Sequence, residues 1–174
     1  LLASPGTLFE FEVSADGAVG PVLTLPIPLA FTTVNRPPEV LHLQVGSDTR
    51  LLGYALDRRS ARPGEALLLT LWWQALDAPG EERSVLVHLL DAQGTLITQA
   101  DGAPARGGWP TSLWRSGDTV LDSRNVALPP DLPVGDYTLA FGIYRWPSLE
   151  RLPLRNGDVE LADAVVRVPI TITR

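Results

Sequence analysis

The chain has no cysteine, no methionine and no lysine. Without cysteine there are no disulfides, no cysteine-ligated zinc and no thiol nucleophile. Without lysine, all 14 basic side chains are arginine, set against 20 acidic ones. The net charge of −6 and the pI near 4.8 argue against nucleic acid as a partner, because phosphate binding needs a basic footprint. No apolar run reaches the ~20 residues of a membrane-crossing helix, so the chain is not expected to span a membrane itself. Leu1–Leu2 open the chain without a charged leader, and there is no methionine to start it. The sequence is therefore expected to be part of something longer. Histidine is scarce, with only His42 and His88. A Ser–His–Asp triad needs a base oriented beside its nucleophile, and no nucleophile-elbow sequence is present. His88, mid-strand between Val87 and Leu89, is expected to hydrogen-bond within a sheet. A sustained 3.6-residue apolar period with caps is also missing, which argues against long helices.

What is present is strand after strand. The 15 glycines and 16 prolines divide the chain into short segments. A chain of this size can bury roughly 70% of its unfolded surface and needs no metal to fold. Residues 7–13 alternate apolar and polar side chains, Asp16–Gly17 is a turn signal, and residues 21–31 resume an apolar run. Arg36–Pro37–Pro38 looks like a linker. The expected division is 1–38, an N-terminal strand pair and linker, and 39–174, the main domain. Within that domain, strands are expected at 40–45, 50–57, 65–75, 83–91, 95–101, 118–128, 136–145, 151–154 and 164–173, with 83–91 and 95–101 forming a hairpin. In 65–75, Leu67, Leu69, Leu71 and Trp73 share one face, the expected core, and Trp72 falls on the other, near Tyr54. Both faces of 83–91 are apolar, which suggests a central strand covered twice. The predicted fold is all-β, an immunoglobulin-like antiparallel sandwich of about seven to nine strands.

Several blocks occur in an order that resembles a bacterial module: LLGYALD (51–57), RPGEALLLTLWWQAL (62–76), VLVHLLDAQG (85–94), PTSLWRSGD (110–118) and LPPDLPVGDYTLAFGIY (128–144). They are similar to β-sandwich modules at the extracytoplasmic C-termini of large bacterial membrane proteins, many of them similar to dolichyl-phosphate-mannose-type glycosyltransferases. The resemblance spans roughly 48–170. It implies a fold and an extracytoplasmic place in the envelope more than an activity. After Tyr144, where the family continues with an Asp–Pro–Gly type turn, this chain has Arg145–Trp146–Pro147–Ser148 and so an extra tryptophan. Residues 7–31 loosely echo 138–173, as the tail of a preceding copy of the module would.

The expected function is therefore a non-catalytic accessory or interaction module of a larger envelope or membrane-associated protein, without cofactor. Its partners would be other domains of that protein or envelope components. The alternative is carbohydrate binding through the 102–118 loop, where Trp109, Trp114 and Arg115, with Trp72 on the sheet, could stack on sugar rings and bind hydroxyls. Against that stands a structural role, in which Trp114 folds back to plug the end of the sandwich; for Trp109 the two roles are balanced. A glycosidase needs two carboxylates across a cleft. Asp118 and Asp122 would share a strand face, but spacing alone does not make a cleft. Asp101, Asp118 and Asp122 bracket the loop as weak calcium candidates, with turn formation the commoner use of such residues.

Overall fold

The structure, a computed structural model, describes residues 36–174 and the backbone of four short strands before them. The chain divides into two compact units, Leu1–Arg36 and Pro37–Arg174. In the first unit, β1 (Thr7–Phe11) pairs antiparallel with β4 (Leu23–Pro26), and β2 (Ser14–Ala15) with β3 (Ala18–Val19). The Asp16–Gly17 turn and the end of the 21–31 run lie outside the described residues.

The second unit is a β-sandwich. One sheet has five strands in the order β10 (Leu96–Gln99), β9 (Arg83–Leu90), β12 (Gly135–Arg145), β15 (Val166–Ile172), β7 (Ser60–Ala61). The other has six, in the order β11 (Thr119–Ala127), β8 (Ala66–Ala75), β6 (Thr49–Leu56), β5 (Glu39–Val45), β13 (Leu154–Asn156), β14 (Val159–Glu160). There are more strands than expected because β7 and β14 hold two residues each, too few to show a period in the sequence. The sandwich is also not wholly antiparallel, since β7 runs parallel to β15.

Period-two alternation builds the core. Leu67, Leu69, Leu71 and Trp73 of β8 are fully buried, facing Val85, Val87 and Leu89 of β9 and Leu139, Phe141 and Ile143 of β12 within one cluster. Each such side chain contributes about 1.5–3 kcal/mol by leaving water. Trp73's indole N–H is buried without a hydrogen-bond partner among the described residues, a cost of about 1–3 kcal/mol that this packing outweighs.

Tyr54 is not beside Trp72 on the outer face. A bulge in β6 between Leu51 and Gly53 shifts the alternation by one residue, pairing Leu51 with Trp73, Gly53 with Trp72 and Tyr54 with Leu71. Tyr54 therefore turns inward, its ring 5.2 Å from that of Phe141. Glycine is required at the bulge. A Cβ on Gly53 would lie 2.1 Å from the Glu39 carbonyl oxygen and 2.7 Å from Pro37 Cγ. Trp72 is on the outer face as expected, yet only 3% exposed.

Candidate functional site

The 102–118 loop is held from both ends. At its start, Arg124 of β11 donates through Nη2 to the carbonyls of Gly102 (2.9 Å) and Ala103 (2.7 Å), while its Nε bonds both oxygens of Asp122 at 2.9 Å. The Ala105 N–H donates to Asp122 Oδ1 at 3.0 Å. Burial pushes the Asp122 carboxyl above its ordinary range, and the bonds from Arg124 and Ala105 pull the other way without cancelling that push. Further on, the Thr111 hydroxyl donates to the Glu81 carbonyl (2.7 Å) and accepts from the Arg83 N–H (2.9 Å). Ser112 bonds the Glu82 carboxylate.

This anchoring decides the loop tryptophans. Trp114 is 1% exposed, part of the main core cluster, and its Nε1 donates to the Trp109 carbonyl at 3.0 Å. It plugs the sandwich. Trp109 remains 48% exposed. Arg115 is exposed, its N–H donating to Asp118 Oδ2 at 2.8 Å. The expected set of stacking indoles is thus not brought together: Trp114 and Trp72 are buried, and Trp109 alone of the three presents a ring.

The acidic candidates are likewise separate. Asp101 accepts from the Val87 N–H (2.8 Å) and its other oxygen is 3.1 Å from His88 Nε2. Asp118 closes a turn on Arg115, and Asp122 is fully buried against Arg124. Among the described residues no group of three or more metal-ligating side chains converges, so these three do not form a calcium site together. Asp122, enclosed and bonded, does not face a cleft with Asp118.

A second pair, a buried arginine with a partly buried aspartate, closes the same end of the sandwich. Arg83, 3% exposed, donates from Nη1 to Asp48 Oδ1 (2.6 Å) and from Nη2 to Asp48 Oδ2 (2.7 Å), and also meets Glu81 (2.9 Å). Burial opposes ionisation of Asp48, but the hydrogen bonds from Arg83 and Thr49 and the arginine's charge outweigh it, so the carboxyl sits below its ordinary range.

Open concavities lie elsewhere, on the outer face of the five-stranded sheet. Ser84, Leu86, His88 and Leu90 of β9 pair with Tyr144, Gly142, Ala140 and Thr138 of β12, all pointing away from the core. Leu86, Ala140 and Val165 form a small apolar cluster of their own on this face. Around it lies a groove of about 580 Å³, with this cluster and Leu90 as floor. Its rim carries Asp91 on one side and Arg151, Asp163 and Arg167 on the other. The rim is preset: Arg167 donates to the Ala162 carbonyl (3.2 Å) and bonds the Asp163 carboxylate, and Arg151 donates to the Asp163 carbonyl (3.1 Å). Further along the same face a second groove of about 480 Å³ is lined by Ser84, Asp101, Tyr144 and Trp146. Trp146 is 58% exposed, and its backbone N–H is tied to the Glu82 carbonyl at 3.0 Å.

The grooves escaped sequence reasoning because their walls come from β9, β12 and β15, far apart in the chain. Two signals existed. The second apolar face of β9 is the floor of the first groove, and the tryptophan at the departure from the family turn stands at the second.

Comparison with solved structures finds this architecture elsewhere. A crystal structure of the C-terminal domain of Wzt matches with a TM-score of 0.54 at 15% identity, over 84% of this chain and 85% of that one. At that identity the likeness is one of fold. Spo0M, a sporulation control protein from Bacillus subtilis, matches with a TM-score of 0.38 at 11% identity, over 74% of this chain and 50% of that one. No protein-family model and no curated protein matches the chain.

Proposed function

We propose that Pro37–Arg174 is a non-catalytic module that binds glycans by contact, as an extracytoplasmic accessory part of a larger envelope protein of the kind the sequence resembles. The observation that carries the proposal is the first groove on the five-stranded sheet. Its apolar floor suits the C–H face of a sugar ring, and its rim offers both donors and acceptors already fixed in place. Arg151 and Arg167 are balanced by Asp91 and Asp163, so the preferred ligand is a neutral, hydroxyl-rich saccharide. The likeness to the Wzt C-terminal domain supports a sandwich as the scaffold and leaves the ligand to be found.

The test is a glycan screen that includes neutral and acidic bacterial envelope polysaccharides, with wild type compared against Ala140→Trp. Ala140 lies on the groove floor beside Leu86 and Val165, outside the main core, so an indole there takes up groove space, and the variant's unfolding temperature checks that it is folded. Selective retention of neutral glycans, lost in the folded variant, is the expected result. Retention by Ala140→Trp at the wild-type level would remove the groove as the site. No retention of any glycan would favour docking to protein components instead.

A further inference from the structure

The second groove carries hydrogen-bonding groups that nothing in the fold uses. Ser84 Oγ, Tyr144 Oη and Trp146 Nε1 make no hydrogen bond among the described residues, although each belongs to a residue that lines the groove. Ser84 Oγ and Tyr144 Oη reach water, since neither is a buried unsatisfied atom, and Trp146 is an exposed residue. Two aromatic rings beside solvent-facing donors and acceptors suit a pyranose, which presents an apolar C–H face and a hydroxyl edge.

The two grooves are also neighbours. Ser84 and Tyr144 are paired across the sheet, as are Leu86 and Gly142, His88 and Ala140, and Leu90 and Thr138. Ser84 and Tyr144 thus line the second groove, while Leu86, His88, Ala140 and Thr138 line the first. Between them lies Gly142, over which the Ala164 carbonyl packs so closely that a Cβ would come within 2.6 Å of its oxygen. Their walls join where His88 of the first groove meets Asp101 of the second at 3.1 Å. From Ser84 to Leu90 the face runs roughly 20 Å at about 3.3 Å per residue, the reach of a short chain of sugars and not of one ring.

We infer that the groove at Ser84, Tyr144 and Trp146 is a second saccharide subsite, with Trp146 as its stacking surface, so that the ligand is an oligosaccharide lying along β9 across both grooves. This rests on the glycan-binding reading of the first groove. Ser84 and Tyr144 supply hydroxyls to the ring that stacks, and the linkage between subsites passes over the His88–Asp101 contact, because the Ala164 carbonyl covers Gly142.

The test is calorimetric titration with neutral homo-oligosaccharides of one to six units, in mannose, glucose and galactose series. Wild type, Trp146→Ala and Ala140→Trp are compared. Wild type is expected to gain about tenfold in affinity between one unit and the longer members, a gain of the size a single aromatic contact provides. Trp146→Ala should lose that gain, keep its weak affinity for the single sugar and unfold at the wild-type temperature. Trp146 fluorescence, read with Trp109→Phe as background, should shift when oligosaccharide binds. An unchanged dependence on length in Trp146→Ala overturns the second subsite and leaves the first groove standing. Loss of binding in Ala140→Trp, with a wild-type profile in Trp146→Ala, has the same meaning. No binding of any series to wild type overturns both readings together.

Discussion

Two connections in this sandwich carry tryptophan, and they use it in opposite ways. The 102–118 loop turns Trp114 into the core and bonds its indole N–H to a backbone carbonyl. The 145–151 turn leaves Trp146 outside, its indole N–H without a hydrogen bond among the described residues. Both lean on the same short stretch, Glu81–Arg83. Thr111 and Ser112 bond it from the loop side, and the backbone N–H of Trp146 and the guanidinium of Arg145 bond it from the turn side. The difference teaches that aromatic content does not make a loop a binding site. What decides is whether the backbone around it is satisfied by the protein in a way that leaves the ring outside.

The contrast can be broken most forcefully at Trp114. Trp114→Ala is expected to cost about 3–5 kcal/mol, because it empties a site in the core and frees the loop it anchors. Urea unfolding measures the loss, and limited proteolysis should cut within 102–118. A wild-type midpoint would mean the loop does not depend on its plug. Next in size is Asp48→Ala, which leaves the buried Arg83 guanidinium without its bidentate partner. A loss of about 3 kcal/mol is expected, at the low end for a broken buried pair because Glu81 still meets the arginine.

The buried Asp122 and the partly buried Asp48 sharpen the comparison through pH. Asp48 lies below the ordinary value of 3.8 when folded, so the stability it contributes is present above that value and is lost as pH falls through the lowered one. Asp122 lies above 3.8, so its contribution is greatest in acid and declines as pH rises from there through the raised value. Unfolding free energies measured between about pH 2.5 and 6 should show this: Asp48→Asn loses the acid limb, and Asp122→Asn loses the opposing decline. Identical pH profiles in both variants would contradict the assignment. The smallest effect belongs to Trp146→Ala, expected to change stability by no more than about 0.5 kcal/mol, as for a surface site away from the core.

The sequence exposed those parts of the molecule whose pattern is local. Leu67, Leu69, Leu71 and Trp73 read as a core face and are one, because alternation along a single strand needs no knowledge of its neighbours. His88 was expected to bond within the sheet, and it meets Asp101 just beyond β10. Tyr54 was misplaced because a bulge costs one residue of phase and leaves no mark except Gly53, whose role depends on Glu39 and Pro37 crowding it. The parallel contact of β7 was invisible because a two-residue strand has no period. The grooves were hidden for a different reason. Leu86, Ala140 and Val165 meet only after β9, β12 and β15 are ordered side by side, and no spacing in the chain encodes that order. Loop composition pointed to Trp109 and Trp114 as a pair. It also allowed Trp114 to fold back as a plug, as it does, but could not name Thr111, Arg124 and the Trp109 carbonyl as the groups that fix the loop inward.

The anchored loop has one more consequence, for self-association. Three of the four sheet margins are short: β10 has four residues, β7 two and β14 two. The fourth, β11, is nine residues long and would be an inviting template for another chain to extend. The Pro104–Gly107 turn of the loop lies against it, with Ala105 bonded to Asp122 and Arg106 reaching the Ser123 carbonyl at 3.5 Å. The segment that first looked like a grasping loop is, on this account, a guard rail. By occupying the middle of the long margin it leaves less of that edge open for a neighbouring copy to pair with.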